Sequence, residues 1–220
     1  MRTKEVQLFE LARKRQTSRW TGYNCIGDYH AGAYECDFVS PYTRGGCNVD
    51  AELMVLLQDW ASDDVLRGPI LEARFTVGHD PKRMTNIRLK RLLREHFGFE
   101  LQDIYATNVF PFVKLGPMDA SMKRRDLVRA ANEFALPQIV IVEPRFAVCL
   151  GMAAFNAVAV AAGQPRAKTL DSAIASRFTS RNTMIWCLAH PGQQGTNVRN
   201  KGGVDRVSKD WAAVASAFKQ

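Results

Sequence analysis

The feature that most limits this fold is a repeated alternation. Short apolar runs that stop abruptly at a polar residue are followed by longer stretches of helical periodicity. Strand-like runs read at 52–57, 103–108, 145–150 and 183–189. The first is Glu52-Leu53-Met54-Val55-Leu56-Leu57, nearly continuous in apolar residues, as expected of a parallel strand covered on both sides. Helices are predicted over 3–16, 85–97, about 122–135, 152–162 and 204–218. In the second, Leu89, Leu92, Leu93 and Phe97 form the buried face while Arg88, Lys90, Arg91 and Arg94 stay in solvent. Strands alternating with helices predict an α/β fold, a three-layer sandwich. Its centre is a mostly parallel four-stranded sheet with helices on both faces. Residues 138–144 read both ways, although the β-branched Ile139, Val140, Ile141 and Val142 favour a strand.

That topology directs attention to the carboxyl ends of the strands, where open α/β sheets bind their ligands. The residues there are Gln58-Asp59, Asn108, Gly151 and His190. Three of the four ends carry polar side chains, which the topology brings to one crevice.

A chain of 220 residues fits one α/β domain spanning 1–220, with 17–50 as an irregular N-terminal lobe rich in Gly, Tyr, Asn and Cys. The excess of 30 Lys+Arg over 22 Asp+Glu suits a polyanionic partner, and equally an ordinary solvated basic surface. No run of 18 apolar residues is present, so no membrane span is expected. Cys25, Cys36, Cys47, Cys149 and Cys187 form no C-x-x-C pair. They read as free thiols in a cytoplasmic protein. No zinc-like spacing and no nucleotide-binding glycine motif occurs, and neither metal nor organic cofactor is expected.

The order of motifs carries a resemblance. Gln58-Asp59 after a strand, Thr107-Asn108-Val109, the run Gln138 to Gly151, and His190-Pro191-Gly192 together resemble the uracil-DNA glycosylase superfamily over roughly 50–200. The nearest likeness is to its iron–sulfur, thermostable-type branch. The resemblance implies that 138–142 is helical, with the strand starting after Pro144. It also shows departures. The branch's cluster cysteines fall at Phe112 and Ala131, so a cluster held in that manner is not expected. The tyrosine that bars the thymine methyl group falls at Ala61, leaving Trp60 as a replacement.

The implied activity is hydrolysis of the N-glycosidic bond of uracil in DNA, single- or double-stranded, by a monomer that releases free uracil and leaves an abasic site. Bond cleavage builds positive charge on the sugar and negative charge on the leaving base. Asp59 suits the first as a carboxylate that orients water, and a neutral His190 suits the second. Asp63 and Asp64 rival Asp59. Asn108 is implied as the reader of the base edge and Gln58 as part of its binding turn. Trp60, Phe75 and His79 are the candidates to stack on the base. The Gly-rich basic loop at 192–203 offers Gln194, Val198, Arg199 and Lys201 to DNA, with Val198 the apolar wedge. Structural readings stand beside these: Asp59 as a turn cap, His190 as a buried histidine. Other readings of the whole are a glycosylase for hypoxanthine, xanthine or mismatched thymine, and a non-catalytic binder of uracil or abasic DNA.

Overall fold

The computed structural model describes residues 2–220. In chain order the elements are α1 (Lys4–Thr17), β1 (Tyr23–Asn24), β2 (Leu53–Asp59), α2 (Asp63–Arg67), α3 (Glu72–Thr76), α4 (Met84–Phe97) and β3 (Tyr105–Phe110). Then come β4 (Val113–Lys114), α5 (Arg124–Ala130), α6 (Leu136–Val142), β5 (Phe146–Leu150), α7 (Met152–Ala161) and α8 (Leu170–Ala175). The chain closes with β6 (Phe178–Ser180), β7 (Thr183–Leu188), α9 (Gln193–Arg199) and α10 (Arg206–Phe218).

The main sheet runs β3-β2-β5-β7-β6, with β2, β3, β5 and β7 all parallel. Strand alternation divides the core into two layers. Met54, Leu56, Cys149 and Cys187 point to the face covered by α5, α6, α7 and α1. Leu53, Val55, Leu57, Val148 and Leu188 point to the face covered by α4 and α10, where Trp211 is fully buried. This is the expected α/β three-layer sandwich.

The sheet has five strands, not four. The fifth, β6, lies antiparallel to β7 at the edge, joined through Arg181-Asn182 with Arg181 at φ 52°. Three residues of mixed polarity give no apolar signal, and only the hairpin turn could have marked them. Three further expectations are corrected. The helix predicted to end near 135 runs on as α6, through a π-turn at Ala131–Ala135 that absorbs Pro137. Proline lacks an N–H and crowds the carbonyl one turn back, and the widened turn relieves both. The helical assignment of 138–142 therefore holds against the β-branched composition. Residues 193–199 form α9 and not a loop. Arg88 is half-buried, because it reaches α9 through Gln193 Oε1 at 2.6 Å.

The lobe before β2 is irregular, with short 3₁₀ turns, and is tied down at two points. Strand β1 pairs with β4 through Tyr23↔Lys114. Buried Arg15 of α1 donates to the carbonyls of Cys36 and Phe38, each at 2.8 Å, and pairs with Glu35. Trp20 then lies against Phe112, with ring centroids 4.8 Å apart, and Phe112 meets Phe134 edge-on at 5.9 Å. This aromatic cluster clamps the lobe to the α5–α6 layer. Phe112→Ala is expected to cost about 3–5 kcal/mol of stability, measured by urea unfolding. A loss below about 1 kcal/mol would show that the cluster is not a clamp.

Candidate active site

The carboxyl ends of the parallel strands open into a cavity of about 870 Å³. Gln58, Asp59 and Trp60 enter it from β2, Gly151 from the end of β5, and His190 from the end of β7. The cavity also receives Tyr42 and His79 from the connections on either side of β2, and Lys114 from β4.

His190 is held in one state. The backbone N–H of Gly192 donates to its Nδ1 at 3.0 Å, so Nδ1 accepts and the proton of the neutral ring sits on Nε2. Burial holds the imidazole below the ordinary histidine range. Asp59 opposes that shift and Arg83 reinforces it. The loop can approach this closely only because it lacks side chains. A Cβ on Gly192 would lie 2.8 Å from His190 Nδ1, and one on Gly195 would lie 2.2 Å from the His190 carbonyl oxygen. Here the glycines of 192–195 serve backbone packing against the histidine.

Asp59 forms an ion pair with Lys114 at 2.8 Å, and both side chains are nearly buried. The same ammonium donates to the Met118 carbonyl. Lys114 was missed from the sequence, where Val113-Lys114 looks like the tail of a strand. Its signal was a lysine two residues after a buried phenylalanine. Asp63 and Asp64 do not line the cavity. Asp63 accepts from Tyr29 at 2.7 Å, Asn24 at 3.1 Å and Arg67 at 2.8 Å. The Arg67 hydrogen bond, helped by those from Tyr29 and Asn24, keeps its carboxyl below the usual range. It is a fastening for the lobe, whereas Asp59 lines the cavity, together with Asp80 and Asp119.

Asn108 lies opposite Leu57 in the β2–β3 register and is fully buried, outside the cavity wall. Ser40 accepts from the Tyr42 N–H at 3.2 Å and donates to Asn108 Oδ1 at 2.6 Å. That fixes the amide orientation and leaves Nδ2 without a partner among the described residues. His79 is its counterpart. Its Nδ1–H donates to the Val77 carbonyl at 2.8 Å, and burial favours the neutral ring. Nε2 is then a buried acceptor with no partner among the described residues. Unpaired buried polar atoms are costly, at about 1–3 kcal/mol each, and these two are among ten such side-chain atoms in the described residues.

The aromatic candidates separate. Trp60 lines the cavity, anchored by its Nε1–H to the Gly78 carbonyl at 2.7 Å. Phe75 is half-buried outside the wall, against Tyr34 and the cluster containing Ala61. Tyr42 was missed; it lines the cavity with its ring 5.3 Å from that of His79. Nothing in the sequence of an irregular lobe marked it.

At the rim, α9 contributes Gln194 and Val198, the latter 63% exposed. Arg199 is drawn inward by Asp171 and by Asp210 at 2.6 Å and is not free for phosphate. Lys201 is exposed beyond the wall. Arg83 and Arg124 belong to the basic runs Lys82-Arg83 and Lys123-Arg124-Arg125, which read from the sequence equally as phosphate contacts and as solvated faces; Arg74 and Arg166 were not singled out. All four line the cavity, and none has a carboxylate partner among the described residues. Where the iron–sulfur branch would place thiolates, Phe112 and Ala131 are buried in apolar packing. No group of three or more metal-ligating side chains occurs among the described residues. These residues do not fit a cluster.

A strand-end cavity lined by a carboxylate and a fixed histidine, under a basic rim, holds groups of the kind that hydrolysis of a polyanionic substrate needs. The family model of the uracil DNA glycosylase superfamily matches residues 73–213, and the chain belongs to that superfamily. It is therefore a DNA glycosylase, a hydrolase of base-excision repair. No curated protein matches the chain. No helix among the described residues is long and apolar enough to cross a membrane.

The state of His190 can be read directly. Nitrogen NMR is expected to show an imidazole protonated on Nε2 alone, staying neutral to a pH below the ordinary midpoint of about 6.5. Because the unfolded chain takes up that proton first, this group lowers stability as pH falls below about 6.5. A histidine charged at pH 7 would refute the assignment.

Proposed function

We propose that this glycosylase removes uracil from DNA, with Asp59 and His190 as its catalytic residues. The observation that carries the reading is the fixed tautomer of His190 in the same cavity as Asp59. A neutral imidazole presenting Nε2–H is a donor placed where the uracil O2 oxygen gains charge as the glycosidic bond breaks. The Asp59 carboxylate stabilises the oxocarbenium-like sugar and orients the attacking water. Lys114 holds that carboxylate in place.

In this reading two of the unpaired groups, on His79 and Asn108, supply the recognition. Uracil presents an N3–H donor beside an O4 acceptor. His79 Nε2 offers the matching acceptor and Asn108 Nδ2 the matching donor. Cytosine presents the reverse pattern and would leave both unsatisfied, a penalty large enough for strong rejection. The base must leave the stack to reach them, at a cost of a few kcal/mol. Trp60 and Tyr42 offer flat apolar surface to the extruded ring, with Gln58 alongside. The four rim arginines and Gln194 take the flanking backbone, and Val198 is placed to enter the gap left behind.

Incubation with a uracil-containing oligonucleotide followed by alkali tests the reading. Strand cleavage at the uracil is expected in single- and double-stranded substrates. An intact strand at stoichiometric enzyme, beside cleavage of hypoxanthine, xanthine or T·G substrates, would move the specificity to another base. His190→Ala is expected to lose about 10²–10³-fold in rate, the usual loss for one such donor. Asp59→Asn is expected to lose about 10²–10⁴-fold. Asn108→Ala should weaken discrimination between uracil and cytosine. Wild-type rates in both His190→Ala and Asp59→Asn would remove the site.

A further inference from the structure

The mechanism of base release uses Lys114 only through its charge, yet its placement is that of a nucleophile. It is the only lysine among the described residues of the cavity wall. Its side chain is 4% exposed, and its backbone is pinned by pairing with Tyr23 and by a bridge to Ser62. The ammonium donates to the Met118 carbonyl and pairs with Asp59 at 2.8 Å. Beyond these two contacts Nζ has no hydrogen bond or ion pair among the described residues. Asp59 is the group assigned to the sugar carbon that loses its base. The amine therefore stands beside the carbon that becomes an aldehyde when the abasic sugar opens.

We propose that the same cavity carries a second activity, in which Lys114 forms a Schiff base with the abasic product and cuts the strand on its 3′ side. The proposal rests on the base-removal reading for the position of the sugar beside Asp59.

The chemistry closes with the groups present. Asp59 takes one proton from the Lys114 ammonium, freeing the Nζ lone pair. Nζ attacks the C1′ aldehyde of the ring-opened sugar and forms a C–N bond. The carbinolamine oxygen leaves as water, carrying the proton returned by Asp59, and a protonated imine remains. The iminium acidifies the C2′ hydrogen, which Asp59 accepts. The electron pair forms a C2′–C3′ double bond, and the C3′–O bond breaks, releasing the downstream 5′-phosphorylated strand. Water then hydrolyses the conjugated imine. That step returns the Lys114 ammonium and an unsaturated aldehyde on the upstream strand, and Asp59 gives its proton to solvent. No oxidant, reductant or metal enters.

This arrangement also accounts for burying a lysine against the catalytic carboxylate. Withdrawing a charge pair from water is costly, and apolar residues of like volume often serve stability as well or better. A nucleophile next to a group that can accept its proton is a recurring catalytic arrangement.

The test uses the full chain and an oligonucleotide carrying a preformed natural abasic site, so uracil recognition plays no part. Enzyme and oligonucleotide are mixed at equal concentration with sodium borohydride, which reduces an imine to a stable amine. The expected result is a covalent protein–DNA band whose digest maps the modification to Lys114 by mass spectrometry. Without borohydride, scission without alkali is expected. Lys114→Arg keeps a cation for Asp59 but offers no nucleophilic amine, and is expected to abolish the band. Its fold is checked by circular dichroism, and if it does not fold, the mapped wild-type site decides. No band, or an adduct on another lysine or on the terminal amine, would overturn the proposal. Uracil release by the same preparation would leave the base-removal reading intact in that case.

Discussion

The molecule depends on the parallel pairing of β2, β3, β5 and β7. In-register parallel strands must all end on the same side, so whatever follows each one meets at that edge. The register is secured by burial on both faces. Met54 and Leu56 face one helical layer while Leu53, Val55 and Leu57 face the other, and a slip of one residue would exchange them. Polar side chains are costly inside such strands, which favours placing them at the ends. The ordinary requirement of a dry core thus delivers Asp59 and His190 to a common cavity.

Convergence alone gives proximity; chemistry needs fixed protonation and orientation. The sheet does not supply these. For His190 they come from the backbone of the following turn, through the Gly192 N–H and the glycines that let α9 sit against the ring. For Asp59 they come from Lys114 on a two-residue strand that belongs to the small sheet formed with the lobe. The site is therefore assembled from two structural systems. The large sheet brings Asp59 and His190 to the cavity; the turn after β7 holds the histidine, and the strand paired with the lobe holds the carboxylate.

Legibility in the sequence followed the same division. The layered α/β fold and the strand-end residues could be read because apolar runs of period two and helices of period 3.6 leave a regular trace. Strand β6 could not, since an edge strand of three mixed residues buries too little to leave one. Helix α9 could not, because its glycine and amides favour a loop by propensity and it is held by contacts from Arg88. The motif resemblance resolved 138–142, where local preference pointed the wrong way. Lys114, Tyr42, Arg74 and Arg166 were invisible for a different reason. Each is an ordinary residue made significant by a long-range neighbour, and one-dimensional patterns do not record such neighbours.

The irregular lobe is thereby recast. In sequence it was a turn-rich preface to the fold; in the structure it orders the groups around Tyr42, His79 and Asn108. Ser40 turns the Asn108 amide, and Tyr42 lies beside His79 while donating to Asn86 Oδ1 at 2.8 Å. Asp63, which reads as a rival catalyst, ties the lobe to the segment after β2 through Tyr29 and Asn24. The lobe has few backbone ladders of its own, so its geometry is set by such side-chain bonds and by the Trp20–Phe112 contact. In a loop-built element of this kind, small changes in composition reposition the recognition groups without disturbing the sheet. The departure of Ala61 from the superfamily pattern fits this view. Ala61 packs with Tyr34 and Ile26 of the lobe, and aromatic surface at the cavity passes to Trp60 and Tyr42. On the proposed reading, the strand ends carry the chemistry and the lobe selects the base.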